Sequence, residues 1–194
     1  MSKGRLRTFD EQIVLDRAMQ LFWLRGYEGT SLSQLVDAMG ISRQSLYDTF
    51  GNKRALFLRT LEHYQKTQLV EGLALLTRDG SPVENVKALL RFFDALARDS
   101  RARGCFVANT LVELGPHDAE IAAVVRGILA TLQGAIEANL IDAKRAGELA
   151  PHKQPDELAA ALLNAVLGIA VAGRLAHDPN ESPLVLAGTL RMLD

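Results

Sequence analysis

A single cysteine, Cys105, is present among 194 residues, which excludes an intramolecular disulfide and any multi-cysteine zinc site and suits a reducing cytoplasm. Aromatic residues are scarce at 6%, while hydrophobic residues reach 48%, mostly Leu, Ala and Val, a balance that fits packed helices better than a β-sandwich. Long apolar runs are also missing. The longest uncharged stretch, Leu158 to Gly173, has 16 residues and includes Asn164, short of the roughly 20 that cross a bilayer, so it reads as a buried or interface helix with no membrane partner. The start, MSKGRLRTFDEQ, lacks the apolar stretch of a signal peptide. No glycine-rich phosphate loop, metal-ligand pair at helical spacing or nucleophile triad pattern occurs, and His63, His117, His152 and His177 are widely separated. These gaps argue against an enzyme and predict no cofactor.

Charge of one sign is lacking as well. The net charge of -1 gives no bulk attraction to a polyanion, yet residues 1–54 carry a net +2 and the remainder a net -3, so placement matters more than the sum.

What is present is helical periodicity throughout. Phe9, Ile13, Ala18, Leu21, Phe22 and Leu24 lie at helical spacing between Asp10 and Arg25, with Gly26 as a C-terminal cap. Thr30 and Ser31 offer N-cap hydroxyls to a short second helix, with Gln34 as capping-box partner and Leu32, Leu35, Val36 and Met39 as its apolar face before Gly40. Ser42 caps a third helix of about two turns, through Thr49, before Gly51. Asn52 starts a long helix that Asp79 to Pro82 ends. Further helical segments are predicted near 83–98, 105–114, 118–146, 156–176 and 183–193, without strand alternation or internal repeat. The chain is therefore expected to be all-α, with a three-helix unit over residues 1–54 and a larger helical body over 55–194.

Two short helices joined by a tight turn at Gly40 have the layout of a helix-turn-helix, whose second helix enters the major groove of double-stranded DNA. That explains an outer face otherwise odd for an exposed helix. Arg43 can fork onto guanine and Gln44 onto adenine, Ser45 is small enough for close approach, and the cap residue Ser42 is counted with the DNA-binding positions. Tyr47, Thr49 and Lys53 suit phosphate oxygens, and a hydroxyl at Thr30 or Ser31 with the free amides of the second helix offers an anion site. Leu46 and Phe50 point inward. The alternative for the same residues is a capped helix docking by Leu46, Tyr47 and Phe50.

The stretch from Arg7 to Phe57, with its GYEGTS and AMGIS turns, LYDTF core and GNKRALF continuation, resembles the DNA-binding domain of the TetR/AcrR family of transcriptional repressors. The resemblance implies a homodimer placing the third helix of each subunit in half of a palindromic operator, and a C-terminal domain whose small-molecule inducer changes the spacing of the two heads. Two positions depart from the common family pattern. Gln44 replaces a frequent Gly, and Asp48, which would repel phosphate, is expected to face a cytosine amino group, Arg43 or solvent. Lys3, Arg5 and Arg7 either track the minor groove or phosphates, or form a solvated terminus.

The resemblance further implies a four-helix dimer interface from the last two helices. Ala161, Ala165, Gly168 and Ala172 are small residues at helical spacing beside Leu158, Leu162, Val166 and Ile169, with Leu184, Leu186, Leu190 and Met192 completing the seam; an intramolecular core helix would look similar. Candidates to line an inducer pocket are Phe92, Phe93, Phe106, Asn109, Leu111, Ile128 and Leu132, most of which also read as ordinary core, and an apolar or amphipathic ligand is the default. Cys105 follows Gly104 at a helix start, where the helix dipole and Arg101 and Arg103 would favour a thiolate, so a thiol sensor of electrophiles or oxidants is one alternative and a small buried hydrophobe the other. An alternative of another class is a helical enzyme using the N-terminal unit for packing.

Overall fold

The computed structural model describes residues 9–98, 103–175 and 181–194, and these residues form ten α-helices and one π-helical turn, with no strand among them. The all-α expectation holds, and the chain divides into two compact units, Met1–Lys66 and Thr67–Asp194. The first unit is longer than the 54 residues expected. The reason lies in the fourth helix, whose buried Leu56, Phe57, Leu61 and Tyr64 complete the core of the first unit.

In that unit α1 (Glu11–Arg25) packs on α2 (Leu32–Met39) and α4 (Lys53–Tyr64), and α3 (Arg43–Phe50) packs on α2 and α4. The Asp10 carboxylate caps α1, accepting from the amides of Gln12 at 2.8 Å and Ile13 at 3.3 Å. The buried stripe of α1 is Val14, Leu15, Ala18, Met19, Phe22 and Trp23. Ile13 and Leu24, expected in the core, are instead 52% and 56% exposed. Apolar residues occur on nearly every side of this helix, so spacing alone does not single out the inward stripe. Aromatic rings join α1 to α4: Phe22 meets Phe57 edge-on at 4.9 Å, Tyr27 meets Phe57 at 5.0 Å, and Trp23 meets Tyr64 edge-on at 5.2 Å. Arg59 on α4 adds an ion pair to Glu11 and lies over the Phe50 ring. Eight of the eleven aromatic residues precede Lys66, concentrating large apolar area where the unit is smallest.

The helix expected to run unbroken from Asn52 to the DGSP turn has a π-helical turn, Gln65–Leu69, followed by α5 (Val70–Leu75). Buried residues lie on both sides of it, Leu61 and Tyr64 before and Leu69, Gly72 and Leu76 after. The π-turn adds one residue to the helical repeat where the chain passes from Tyr64, buried in the first unit, to Leu69 in the second.

In the second unit α6 (Pro82–Ala97), α8 (Ala119–Arg145) and α9 (Pro155–Leu175) pack on one another, α7 (Phe106–Leu114) lies against α8 and α9, and α10 (Glu181–Arg191) against α6 and α9. Two of these helix starts carry side-chain caps. Ser81 caps α6 ahead of Pro82, and Asp118 caps α8 by accepting from the amides of Glu120 and Ile121. α5 approaches α6 closely because residue 72 is glycine: a Cβ there would lie 3.1 Å from the Phe92 ring. The carboxylate of Asp194 accepts from Lys87 at 3.2 Å, holding that ammonium above its ordinary pKa, and Lys153 donates to the Met192 carbonyl at 2.9 Å.

Two of these helices, α8 and α9 as far as Ala172, contain windows of mean hydropathy 1.4 and 1.5, long and apolar enough by length and composition to span a membrane. The uncharged run within α9 is too short, but the helix around it is not. Both turn apolar stripes to their neighbours, Ile121, Val125, Ile128, Leu132, Ile136 and Leu140 on α8 and Leu158, Leu162, Val166 and Ile169 on α9, as core helices do.

Candidate nucleic-acid interface

The interface is built from the turn outward. Ser31 forms a reciprocal capping box with Gln34: its hydroxyl accepts from the Gln34 amide at 3.2 Å while its own amide donates to Gln34 Oε1 at 2.9 Å. At the other end of α2, Gly40 adopts the left-handed conformation (φ 69°, ψ 32°) that ends the helix and that side chains other than glycine's adopt at a cost. Arg17 on α1 donates to the Met39 carbonyl at 3.4 Å, satisfying one of the carbonyls the helix end leaves free.

The chain then turns into α3, capped by Ser42, whose hydroxyl accepts from the Ser45 amide at 3.0 Å and lies 2.9 Å from the Ser45 hydroxyl. Such a cap contributes about 1 kcal/mol. Leu46 is fully buried and Phe50 nearly so, four residues apart on one face, and they orient the helix against α2 and α4. The opposite face is solvent-facing: Ser42, Arg43, Gln44, Tyr47 and Asp48 are exposed, and Ser45 and Thr49 are half-buried. Tyr47, at 39% exposure, does not dock inward, which removes the main support for a helix that merely packs. The Arg43 guanidinium lies 6.0 Å from the centre of the Tyr47 ring, and Gln44 Nε2 donates to Asp48 Oδ1 at 2.7 Å. Asp48 thus pairs along its own helix with Gln44. Lys53, in the first turn of α4, holds its ammonium 4.2 Å from the centre of the Tyr27 ring, on the face of the ring that attracts cations.

Thr30 requires a correction. Its side chain is fully buried and its hydroxyl donates to the Gly26 carbonyl at 2.6 Å, closing the turn after α1; it neither caps α2 nor offers a hydroxyl to phosphate. Ser31 alone supplies the cap. The basic residues Lys3, Arg5 and Arg7 lie outside the described residues, as does Arg101.

In the helical body, Phe93, Phe106, Ile128 and Leu132 are buried, while Phe92, Cys105, Asn109 and Leu111 are half-buried. Phe92 packs against Gly72 and the Phe93 ring, and the Asn109 amide donates to the Arg103 carbonyl at 2.7 Å, so both side chains have structural partners already. Cys105 is the N-cap residue of α7. Among the described residues no group of three or more His, Cys, Asp or Glu is placed to hold a metal ion.

The expected dimer seam separates into two faces. Leu158, Leu162 and Ile169 face inward and belong to the chain's own core, because positions 158, 162, 166 and 169 share one stripe of α9. They are not free to meet another subunit. The small residues lie on the other side: Gly168 and Ala172 are exposed and Ala161 and Ala165 half-buried, beside Val171 at 45% exposure. On α10, Leu184 is 75% exposed and Val185 46%, and Leu186 and Leu190 are half-buried. Val171 and Val185 are members of this outward face that small-residue spacing did not reveal.

A left-handed glycine turn, a capped two-turn helix held by two core side chains, and an outward face of Arg, Gln and Tyr define a helix-turn-helix DNA-binding protein. The comparisons with known proteins narrow the class. Residues 14–60 match the profile of bacterial regulatory proteins of the tetR family, and residues 82–187 that of the tetracyclin repressor-like C-terminal domain. The HTH-type transcriptional repressor ComR of Escherichia coli (strain K12) is 33% identical over 196 residues, covering 98% of this chain and 92% of ComR. An uncharacterized HTH-type transcriptional regulator of Bacillus subtilis (strain 168), YezE, is 39% identical over 147 residues, 75% of this chain and 76% of YezE. Among solved structures, a cysteine-substituted form of the TetR family regulator CifR, complexed with 26-base-pair operator DNA, superposes with a TM-score of 0.88 at 29% identity, covering 98% of this chain and all of that one. The chain belongs to the TetR family of transcriptional regulators; it is a DNA-binding regulator and not an enzyme.

Proposed function

We propose that this regulator is a homodimeric repressor that acts in the cytoplasm, binds a palindromic operator through α3, and is released by a small apolar or amphipathic molecule held in the helical body. The observation that carries the reading is the division of α3, with Leu46 and Phe50 buried behind it and Arg43, Gln44 and Tyr47 presented in front. Ser31, Tyr47, Thr49 and Lys53 are assigned to the phosphates and Arg43 and Gln44 to base edges, with Ser42 and Ser45 at the start of α3 that approaches the DNA. ComR and CifR support the reading, the first as a repressor and the second as a regulator complexed with operator DNA. For the inducer, the supporting feature is the apolar character of Phe93, Phe106, Ile128 and Leu132 across α6, α7 and α8.

Fluorescence anisotropy on the intergenic DNA beside the protein's own gene, at two salt concentrations and with unrelated competitor DNA, tests the first part. Binding that resists competitor and weakens steeply with salt is expected; a protein contacting 6–10 phosphates loses on the order of 10³–10⁵ in affinity between 50 and 200 mM salt. Binding equally lost to competitor would refute a sequence-specific operator.

The dimer is tested at Gly168. A Cβ there meets nothing within 4 Å in the chain, so Gly168→Arg leaves the monomer's packing intact and removes a helix-destabilising glycine. Against a second copy of α9 the same side chain is an obstacle. The variant is expected to sediment as a monomer with unchanged helicity and to bind the operator at least about tenfold more weakly, having lost the linkage between half-sites. A variant that stays dimeric places the interface elsewhere.

A further inference from the structure

An acidic side chain on a helix that faces phosphates is an electrostatic cost, and Asp48 is exposed on α3 one turn beyond Gln44. We infer that Asp48 is a positioning residue for base readout, holding the Gln44 amide in the one orientation that reads adenine. The inference rests on the proposed placement of α3 in the major groove.

The chemistry of the pair sets the orientation. Gln44 Nε2 lies 2.7 Å from Asp48 Oδ1, and a carboxylate accepts hydrogen bonds without donating them, so the amide must turn its NH₂ and not its carbonyl oxygen toward Asp48. The reversed amide would set oxygen lone pairs against a negative charge. The NH₂ has two hydrogens. If the one pointing away from Oε1 goes to Asp48, the carboxylate stays clear of Oε1, and the second hydrogen remains beside Oε1 on the opposite edge. That edge presents a donor next to an acceptor, the complement of adenine N7 and N6 in the major groove.

Without Asp48 nothing on α3 selects between the two amide orientations, since the terminal torsion of glutamine is broad and roughly two-fold. In the reversed orientation the amide oxygen would meet adenine N7, acceptor against acceptor. Asp48 therefore removes the misreading orientation before the helix reaches DNA. Its charge also disfavours sliding of this part of α3 onto the phosphates, which weakens non-specific binding. Removal of Asp48 consequently has two effects of opposite direction, lower discrimination and stronger general binding, whereas damage to the fold lowers both.

Selection from random-sequence duplexes, run with wild type, Asp48→Ala, Asp48→Asn, Gln44→Ala and the Gln44→Ala/Asp48→Ala double variant, tests this. The wild type should enrich a two-fold symmetric motif with one adenine position per half-site preferred about tenfold or more. Asp48→Ala and Asp48→Asn should keep the rest of the motif, drop the preference at that position to about threefold or less, and tighten binding to unrelated duplex DNA. In the Gln44→Ala background, loss of Asp48 should leave base preferences unchanged. An adenine preference that persists in both Asp48 variants, or a position that responds to Asp48 but not to Gln44, overturns the inference while the operator reading stands. No motif with the wild type overturns the operator reading and the inference with it.

Discussion

Phe57→Ala is expected to lower the unfolding free energy of the N-terminal unit by about 3–5 kcal/mol. Phe57 is 1% exposed and its ring meets both Phe22 and Tyr27 edge-on or nearly so, so truncation removes transfer energy, two aromatic contacts and leaves a cavity. A unit of this size has a stability of the same order as that loss, which leaves it marginal at 37 °C. Thermal denaturation followed by circular dichroism should show an early transition from the N-terminal unit ahead of the helical body. A melting curve within about two degrees of the wild type would mean that α4 is not held to α1 by this cluster. DNA affinity should fall together with stability, because α3 rests on α4 and on the same core.

Arg43→Ala should do the opposite: keep the fold and abolish specific recognition. Arg43 is exposed, occupies the first turn of α3 and is replaced by the best helix former, so stability should change by less than about 0.5 kcal/mol. A bidentate base contact is worth about 1–3 kcal/mol, and two copies on a palindrome give a loss on the order of 10²–10⁴ in operator affinity. Anisotropy titrations at several salt concentrations distinguish a base contact from a phosphate contact. If Arg43 reads a base, specific binding falls while the salt slope and non-specific affinity hardly move; if it binds phosphate, affinity falls for all sequences and the slope decreases.

Much of this arrangement was legible from residue types. Ser31 with Gln34, Gly40, Ser42 and the Leu46–Phe50 pair are local devices, each acting within four residues, and spacing reveals such devices directly. The helices of the body followed from the same periodicity, with the turn from Asp79 to Pro82 marking one boundary. Features that depend on which of several partners a side chain takes, or on contacts distant in sequence, were not legible. Thr30 reads as a cap until its hydroxyl is seen bonded back to Gly26. Ile13 and Leu24 read as core because α1 has more apolar residues than its inward face can use. Leu158, Leu162 and Ile169 could face either the chain's own helices or a second copy, a choice that α6 and α8 decide. The Gln44–Asp48 pair is an i, i+4 spacing, yet from sequence Asp48 reads equally well as facing a cytosine amino group, Arg43 or solvent, and only the side-chain geometry selects Gln44. The π-turn between Tyr64 and Leu69 lies where the chain passes from one unit to the other, and apolar spacing alone does not reveal it.

The edge-on contact between Trp23 and Tyr64 gives the molecule an optical property. Trp23 is the protein's only tryptophan, 3% exposed and seated between α1 and α4, so the near-ultraviolet emission of the whole chain originates in the N-terminal unit. Its colour and intensity report the polarity and closeness of that one junction, and Tyr64 at 5.2 Å transfers excitation to it. Emission therefore follows the DNA-binding unit without an attached dye, while events confined to the helical body stay dark unless they reach α1 or α4.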